Sequence, residues 1–288
     1  EGLADSAVAC DAAQFRRSSA ILYARLFAPV ADEMDDDRTI VVVPDATLSA
    51  VPFAALLDPD GHYVVEKHAV VVAPSASVYT RLQSRRQTDA RGLRLLVISG
   101  PGRRAGELAS LGATWRENQA VAAAYGRDAI VAPATEDRVS FDANAASADI
   151  IHFSGHADAP EDDTEGALVT SGESEMFGTR LDVHRIAALR LPRTRAVILA
   201  ACATARGRDR GPTSISVARA FLAAGAPSVV ATLWPIEDNL SADFFPRLHH
   251  YLARGLAPAE ALRATQIEWI RRPGAPPGMW AAVQVIGS

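Results

Sequence analysis

The sequence is poor in cysteine, holding two in 288 residues, Cys10 and Cys202. Two cannot build a disulfide framework, and their spacing fits no zinc knuckle. The expected setting is therefore a reducing cytoplasm, and Cys202 is free to react. No apolar run approaches the roughly 20 residues that cross a bilayer, so no membrane partner is expected. The opening EGLADSAVAC lacks a basic segment followed by an apolar core, so it is not expected to be a signal peptide. It also lacks an initiator Met, as expected of a processed chain or a piece of a longer one. A basic surplus is missing too: 29 basic residues against 34 acidic ones give a net charge of −5. That balance leaves no footprint for bound nucleic acid. Aromatics are sparse at 6%, yet 49% of the chain is hydrophobic, enough for a substantial core.

What is present is rhythm. Residues 11–34 carry apolar positions at helical spacing, with Pro29 expected to kink or split the segment. A strand at 39–43 and a strand or hairpin at 63–75 follow. The Arg- and Gln-rich stretch 84–92 is the candidate boundary between an N-terminal subdomain, 1–90, and a catalytic domain, 91–288. Beyond it come strands at 93–100, 128–133, 147–157, 195–202, 227–234 and 280–287. Helices at 114–126, 213–225, 241–253 and 258–271 alternate with them. The helix 213–225 has Thr or Ser for a cap and Gly225 for a stop. Alternating strands and helices predict a mostly parallel sheet covered on both faces, an α/β/α sandwich.

Two of these strands end on reactive groups. SADIIHFSGHA presents His152 and His156, and RAVILAAC presents Cys202. Strand C-termini of a parallel sheet share one edge, so the tips can be neighbours. An imidazole beside a thiol takes its proton, and the thiolate attacks a carbonyl. His152, inside an apolar strand, reads as a hydrogen-bonded core histidine. His249 and His250 read as solvated or half-buried residues of a helix with no third metal ligand. Cys10 reads as inert. The acidic run DAPEDDTEG (158–166) is a solvated loop or the lining of a cleft, and RGRDRG (206–211) is a flexible loop. ISGPGRRAGE (98–107) sets Gly100, Gly102 and Gly106 after a strand, but the spacing is not that of a dinucleotide fingerprint, and a structural loop is favoured. A nucleotide-binding oxidoreductase or transferase stays open as a reading of the alternating pattern alone.

The ordered set VPDATLSAVPFAALLD (43–58), IIHFSGHAD (150–158), VILAACATA (197–205), VARAFLAAGAPSVVATLWPIEDN (217–239) and WAAVQVIG (280–287) resembles the CHAT domain. That is a caspase-like peptidase domain, related to separase and often fused to tetratricopeptide repeats. The resemblance implies His156 as general base and acid and Cys202 as nucleophile, with the backbone N–H groups of Gly155 and Cys202 as the oxyanion hole. It implies cleavage of protein substrates without a cofactor or metal, under a repeat domain or partner protein. Asp238, with Glu237 beside it, matches the acid that reads a basic residue before the cut, and Asp158 follows the histidine turn. Ala200 and Ala203 depart from the Ser and Glu usual in the family. They keep open a catalytically silent scaffold with the same fold.

Overall fold

The computed structural model describes residues 7, 11–35, 38–45, 47–85, 92–100, 113–132, 138–158, 166–169, 180–201, 204–205 and 216–288. In chain order these form helix α1 (Ala12–Leu26), strand β1 (Ile40–Val42), α2 (Val64–Lys67), β2 (Val70–Val72), α3 (Ala76–Gln83), β3 (Leu95–Ser99), α4 (Thr114–Ala123), β4 (Ala129–Ala132) and α5 (Arg138–Ser147). Next come β5 (Ile150–Ser154), β6 (Ala157–Asp158), β7 (Ala167–Val169), β8 (Arg180–Asp182), α6 (Val183–Ala188), β9 (Ala196–Ala200) and α7 (Val217–Ala224). The chain closes with β10 (Ser228–Thr232), α8 (Asp238–Ala253), α9 (Pro258–Ile270), α10 (Pro277–Trp280) and β11 (Val283–Gly287).

Among the described residues, eight strands make one sheet in the order β1-β2-β11-β10-β9-β5-β3-β4. Every pairing is parallel except β10 with β11. Five strands from β4 to β10 therefore run one way, and β11, β2 and β1 run the other. The mixed α/β fold with a mostly parallel central sheet is the one expected. The side chains explain why it has helices on both faces. β5, β9, β10 and β11 are buried at every position. Alternate residues feed two separate cores. Leu95, Val97, Ile150, Ile198 and Val230 pack with α1, α4, α8 and α9. Leu96, Ile98, Ile151, Phe153, Leu199 and Val229 pack with α5, α6 and α7.

Residues 1–90 supply β1 and β2 to this same sheet, through β2 beside β11. Phe15 of α1 shares one apolar cluster with Trp280, whose ring lies 6.4 Å away. Pro29 does split the first helical segment, since α1 ends at Leu26 and a short 3-10 helix spans Ala28–Glu33. The 63–75 segment is not a plain strand: α2 precedes β2. Glu66 accepts the Tyr63 backbone N–H at 2.7 Å and so starts a helix turn in a stretch of β-branched residues. Helices α3, α5 and α6 and the small antiparallel sheet β6-β7-β8 were not expected from the sequence.

Candidate active site

β5 and β9 are neighbours in register, with Ser154 opposite Ala200. Both run toward the same edge of the sheet. Two residues past Ser154 stands His156. Two residues past Ala200 stands Cys202, which lies outside the described residues together with Cys10, the 206–211 loop and the 159–165 acidic run. His156 is half-buried. Its Nε2 is closed off from solvent and has no hydrogen-bond partner among the described residues. A buried imidazole nitrogen without a hydrogen-bond partner is costly.

The turn that carries His156 is fixed by its backbone. Gly155 donates its N–H to the Ala200 carbonyl at 3.3 Å. The His156 carbonyl accepts the Val169 N–H at 2.9 Å, which docks the turn on β7. Gly100, at the tip of β3, donates to the Ser154 carbonyl at 2.7 Å. A Cβ on Gly100 would stand 2.9 Å from the Cα of Gly155 and 2.9 Å from the Val169 carbonyl oxygen. That close approach gives Gly100 a structural reason to be glycine. Gly102 and Gly106 of the same motif lie outside the described residues.

Beneath the turn, the buried polar side chains of β5 face α4. His152 is fully buried, and its Nε2 lies 3.0 Å from Glu117 Oε1. Its Nδ1 lies 3.1 Å from Nε2 of His249, whose own Nδ1 is 2.9 Å from the Tyr125 hydroxyl. Ser241 donates its hydroxyl to Glu117 Oε2 at 2.7 Å. Two residues along β5, Ser154 donates to Asn118 Oδ1 at 2.6 Å, and Asn118 donates to Ser99 Oγ at 2.6 Å. His152 is thus the hydrogen-bonded core histidine expected. His249 is not solvated: the structure corrects that expectation, because α8 turns it into the core, while His250 stays exposed. Burial first, and the neighbouring His152 second, hold the His249 imidazole well below its ordinary range, so the ring is neutral. Burial pushes the Tyr125 phenol upward, so it keeps its proton. Glu117, Asn118, Tyr125 and Ser241 were missed in the sequence. A Glu-Asn pair in a helix carries no sign of which face is buried unless the facing strand is known.

The proposed acidic readers sit along the same edge, after β10. Glu237 is exposed. Asp238 is half-buried and already occupied: its Oδ2 accepts the Ala113 N–H at 2.8 Å, and its Oδ1 lies 3.4 Å from the Thr114 hydroxyl. It therefore stands at the N-terminus of α4, where a carboxylate is favoured by the helix dipole. Asp158 lies in β6, paired through its backbone with Ala167, and its side chain falls outside the described residues. Among the described residues no cluster of three or more His, Cys, Asp or Glu suits a metal ion, and no helix is long and apolar enough to cross a membrane.

Comparison with known proteins bears on the fold and on the order of the motifs. The family model described as the CHAT domain matches residues 16–288. Mouse tetratricopeptide repeat protein 28 is 32% identical over 93 residues, a match that covers 32% of this chain and 4% of that protein. A chain of the Saccharomyces cerevisiae separase–securin complex superposes with a TM-score of 0.61 at 13% identity, over 86% of this chain and 15% of that one. The Arg-specific cysteine proteinase gingipain R, RgpB of Porphyromonas gingivalis, superposes with a TM-score of 0.50 at 10% identity, over 89% and 78% of the two chains. This chain thus spans a small fraction of the repeat protein and of the separase chain. At these identities the solved structures establish the caspase-like fold alone.

Proposed function

Because the chain belongs to the CHAT domain family, we propose that it is a cysteine endopeptidase that cuts protein substrates with a His156/Cys202 dyad. One observation carries the reading. His156, whose buried Nε2 has no hydrogen-bond partner among the described residues, follows β5 by two residues, and Cys202 follows the adjacent, in-register β9 by two. Two residues of chain reach at most about 7 Å, so chain connectivity keeps the thiol near the imidazole.

The chemistry follows from those two groups. His156 Nε2 takes the Cys202 thiol proton, and the thiolate sulfur bonds to the scissile carbonyl carbon while the C=O electron pair moves to oxygen. Backbone N–H groups of Cys202 and Gly155 hold that oxyanion. The Gly155 N–H must first leave the Ala200 carbonyl, a long 3.3 Å bond that is easily exchanged. The C–N bond then breaks, and the His156 proton goes to the leaving amine. Water completes the cycle: it gives a proton to His156, attacks the thioester carbonyl and frees the new carboxylate with restored Cys202. No cofactor is called for.

Specificity for a basic residue before the cut falls to Glu237, the exposed carboxylate of the pair, with Asp158 on the histidine side of the cleft. Asp238 supports it from the α4 cap. Control comes from a repeat region or a partner protein. The match to a tetratricopeptide repeat protein and the likeness to a chain of the separase–securin complex support that control.

The test is cleavage of a diverse peptide library, alone and with repeat-bearing partners added, by wild type, Cys202→Ala and His156→Ala. Cleavage by wild type that falls at least about a thousandfold in both variants establishes the dyad. A second reading, a silent scaffold, is favoured by one observation: the Gly155 N–H is spent on Ala200. No cleavage under any condition, and no labelling of Cys202 by a thiol-directed peptide electrophile, would select it.

A further inference from the structure

We propose that Glu117 is a positioning residue for His156: by fixing the direction of a buried hydrogen-bond chain, it clamps β5, the strand that leads to His156, between α4 and α8. The role of His156 as base rests on the peptidase reading above; the clamp itself does not.

With both rings neutral and Glu117 accepting at both oxygens, the chain has one self-consistent direction. It runs Tyr125, His249, His152, Glu117, with Ser241 joining at the far carboxylate oxygen. Glu117 offers two acceptor oxygens and no donor when ionised. Ser241 therefore donates to Oε2 and His152 donates Nε2–H to Oε1. With Nε2 protonated, neutral His152 accepts at Nδ1, so His249 donates from its own Nε2. The neutral His249 then accepts at Nδ1, and Tyr125 supplies that proton from its hydroxyl. Every contact, from 2.7 to 3.1 Å, is satisfied once, and both rings are fixed as the same tautomer. With both rings neutral, reversing a link sets two donors or two acceptors face to face in the core and leaves buried polar atoms unpaired.

The members of this hydrogen-bond chain come from different elements. Glu117 is on α4, His152 on β5, Ser241 and His249 on α8, and Tyr125 follows α4. A second tie, Ser154 to Asn118 to Ser99, adds β3. His152 and Ser154 project from the same side of β5, as alternate strand residues do. His156 is the next residue of that spacing. The imidazole is thus held by a strand anchored twice, two and four residues before it, to α4. Positioning of this kind matters because a shift of about 1 Å at a reacting group can cost a hundredfold in rate.

Two measurements decide it. The first is ring ¹⁵N spectroscopy of the folded wild type at pH 7.5, with His249→Gln assigning the His249 signal and His152→Asn that of His152. Both buried rings are expected as neutral Nε2–H tautomers. An Nδ1–H tautomer or an imidazolium at either ring overturns the proposal. The second is amide exchange in Glu117→Ala and Glu117→Gln. Alanine is expected to speed exchange at Gly155 and Gly100 at least about tenfold more than at Val230 of β10. Glutamine, which keeps an oxygen toward His152, is expected to restore most of the protection. Equal loss at all three amides, or no rescue by glutamine, overturns it. Should Glu117→Ala fail to fold, the ring tautomers and the Glu117→Gln exchange decide.

Where the enzyme cuts peptides, Glu117→Ala is expected to lower kcat at nearly unchanged KM, again with rescue by glutamine. A rise in KM alone would count against the proposal. A wild type that cuts nothing overturns the peptidase reading and leaves the ring and exchange outcomes to judge the clamp.

Discussion

Gly100 and Gly155 meet backbone to backbone where β3 and β5 reach the site edge. A Cβ on Gly155 would stand 2.8 Å from the Gly100 Cα and 3.1 Å from the Phe153 ring. Backbone on one side and a fully buried ring on the other leave nothing that can yield. Gly155→Ala is therefore expected to cost about 1–3 kcal/mol of stability, read by urea unfolding. It should also lower any cleavage rate more than it lowers the fraction folded, because the displaced residue is next to His156. A variant as stable as wild type would show that the two turns can part freely.

Acid should weaken the fold through His249. Its folded pKa is depressed by burial and by His152. Above about pH 6.5 the ring is neutral in both folded and unfolded chains, so it adds no pH dependence. Below that, the unfolded chain binds a proton that the folded ring refuses, and stability falls by up to about 1.4 kcal/mol per pH unit. Unfolding free energies at pH 7.5 and pH 5.5 measure the slope. His249→Gln keeps a donor toward His152 but cannot titrate, and it should flatten the slope while lowering stability at pH 7.5. An unchanged slope would place the acid sensitivity elsewhere.

The two acids after β10 should separate cleanly. Asp238→Ala removes the acceptor for the Ala113 N–H and should cost about 1 kcal/mol, as loss of a helix cap does. Glu237→Gln touches an exposed side chain and should leave the unfolding curve in place. On a library matched in Arg and Leu before the cut, Glu237→Gln should erase most of the preference for Arg. If Asp238→Asn erases it instead, the capped carboxylate is the reader.

Removing residues 1–90 should not leave residues 91–288 as a folded unit. β11 would lose β2, its partner on that side, and present an unpaired edge of Val283, Val285 and Ile286. Trp280 would lose Phe15 and Tyr63. A chain starting at residue 91 is expected to aggregate, read by light scattering. A soluble, cooperatively unfolding 91–288 would establish two independent units.

The parts of this molecule that follow a period were legible in its sequence. Apolar runs such as RAVILAAC and PSVVATLW could only be strands covered on both faces, and Gly225 ends α7 with a φ of +117° where the sequence marked a stop. A shared edge for the tips of β5 and β9 followed from parallel pairing, and the strand order of the structure makes them adjacent. The burial of Glu117 and His249 did not. Their helices are weakly patterned, and what makes each polar side chain tolerable inside is its opposite number, more than 30 residues away for Glu117 and His152, and about 100 for His152 and His249. The role of Asp238 was hidden for the same reason, since its partner Ala113 lies 125 residues earlier. The stretch 63–75 misled because Val64 and Val65 favour strands, and the Glu66 capping contact overrides that preference.

The one antiparallel pairing of the eight-stranded sheet, β10 with β11, has a consequence for how the chain assembles. Among the described residues, β1 and β2 pair with the other strands of the sheet only through β11, whose residues are more than 200 positions away from β2. The N-terminal pair and the five-strand block are two half-sheets, and residues 283–287 are the keystone slid between them. Local contacts can prepare each half early. The keystone must close a very long loop against its entropy before either half is sealed. Folding is therefore expected to show a late step in which both edges of β11 lock together, and a substitution at Val285 should slow that step while leaving the earlier ones unchanged.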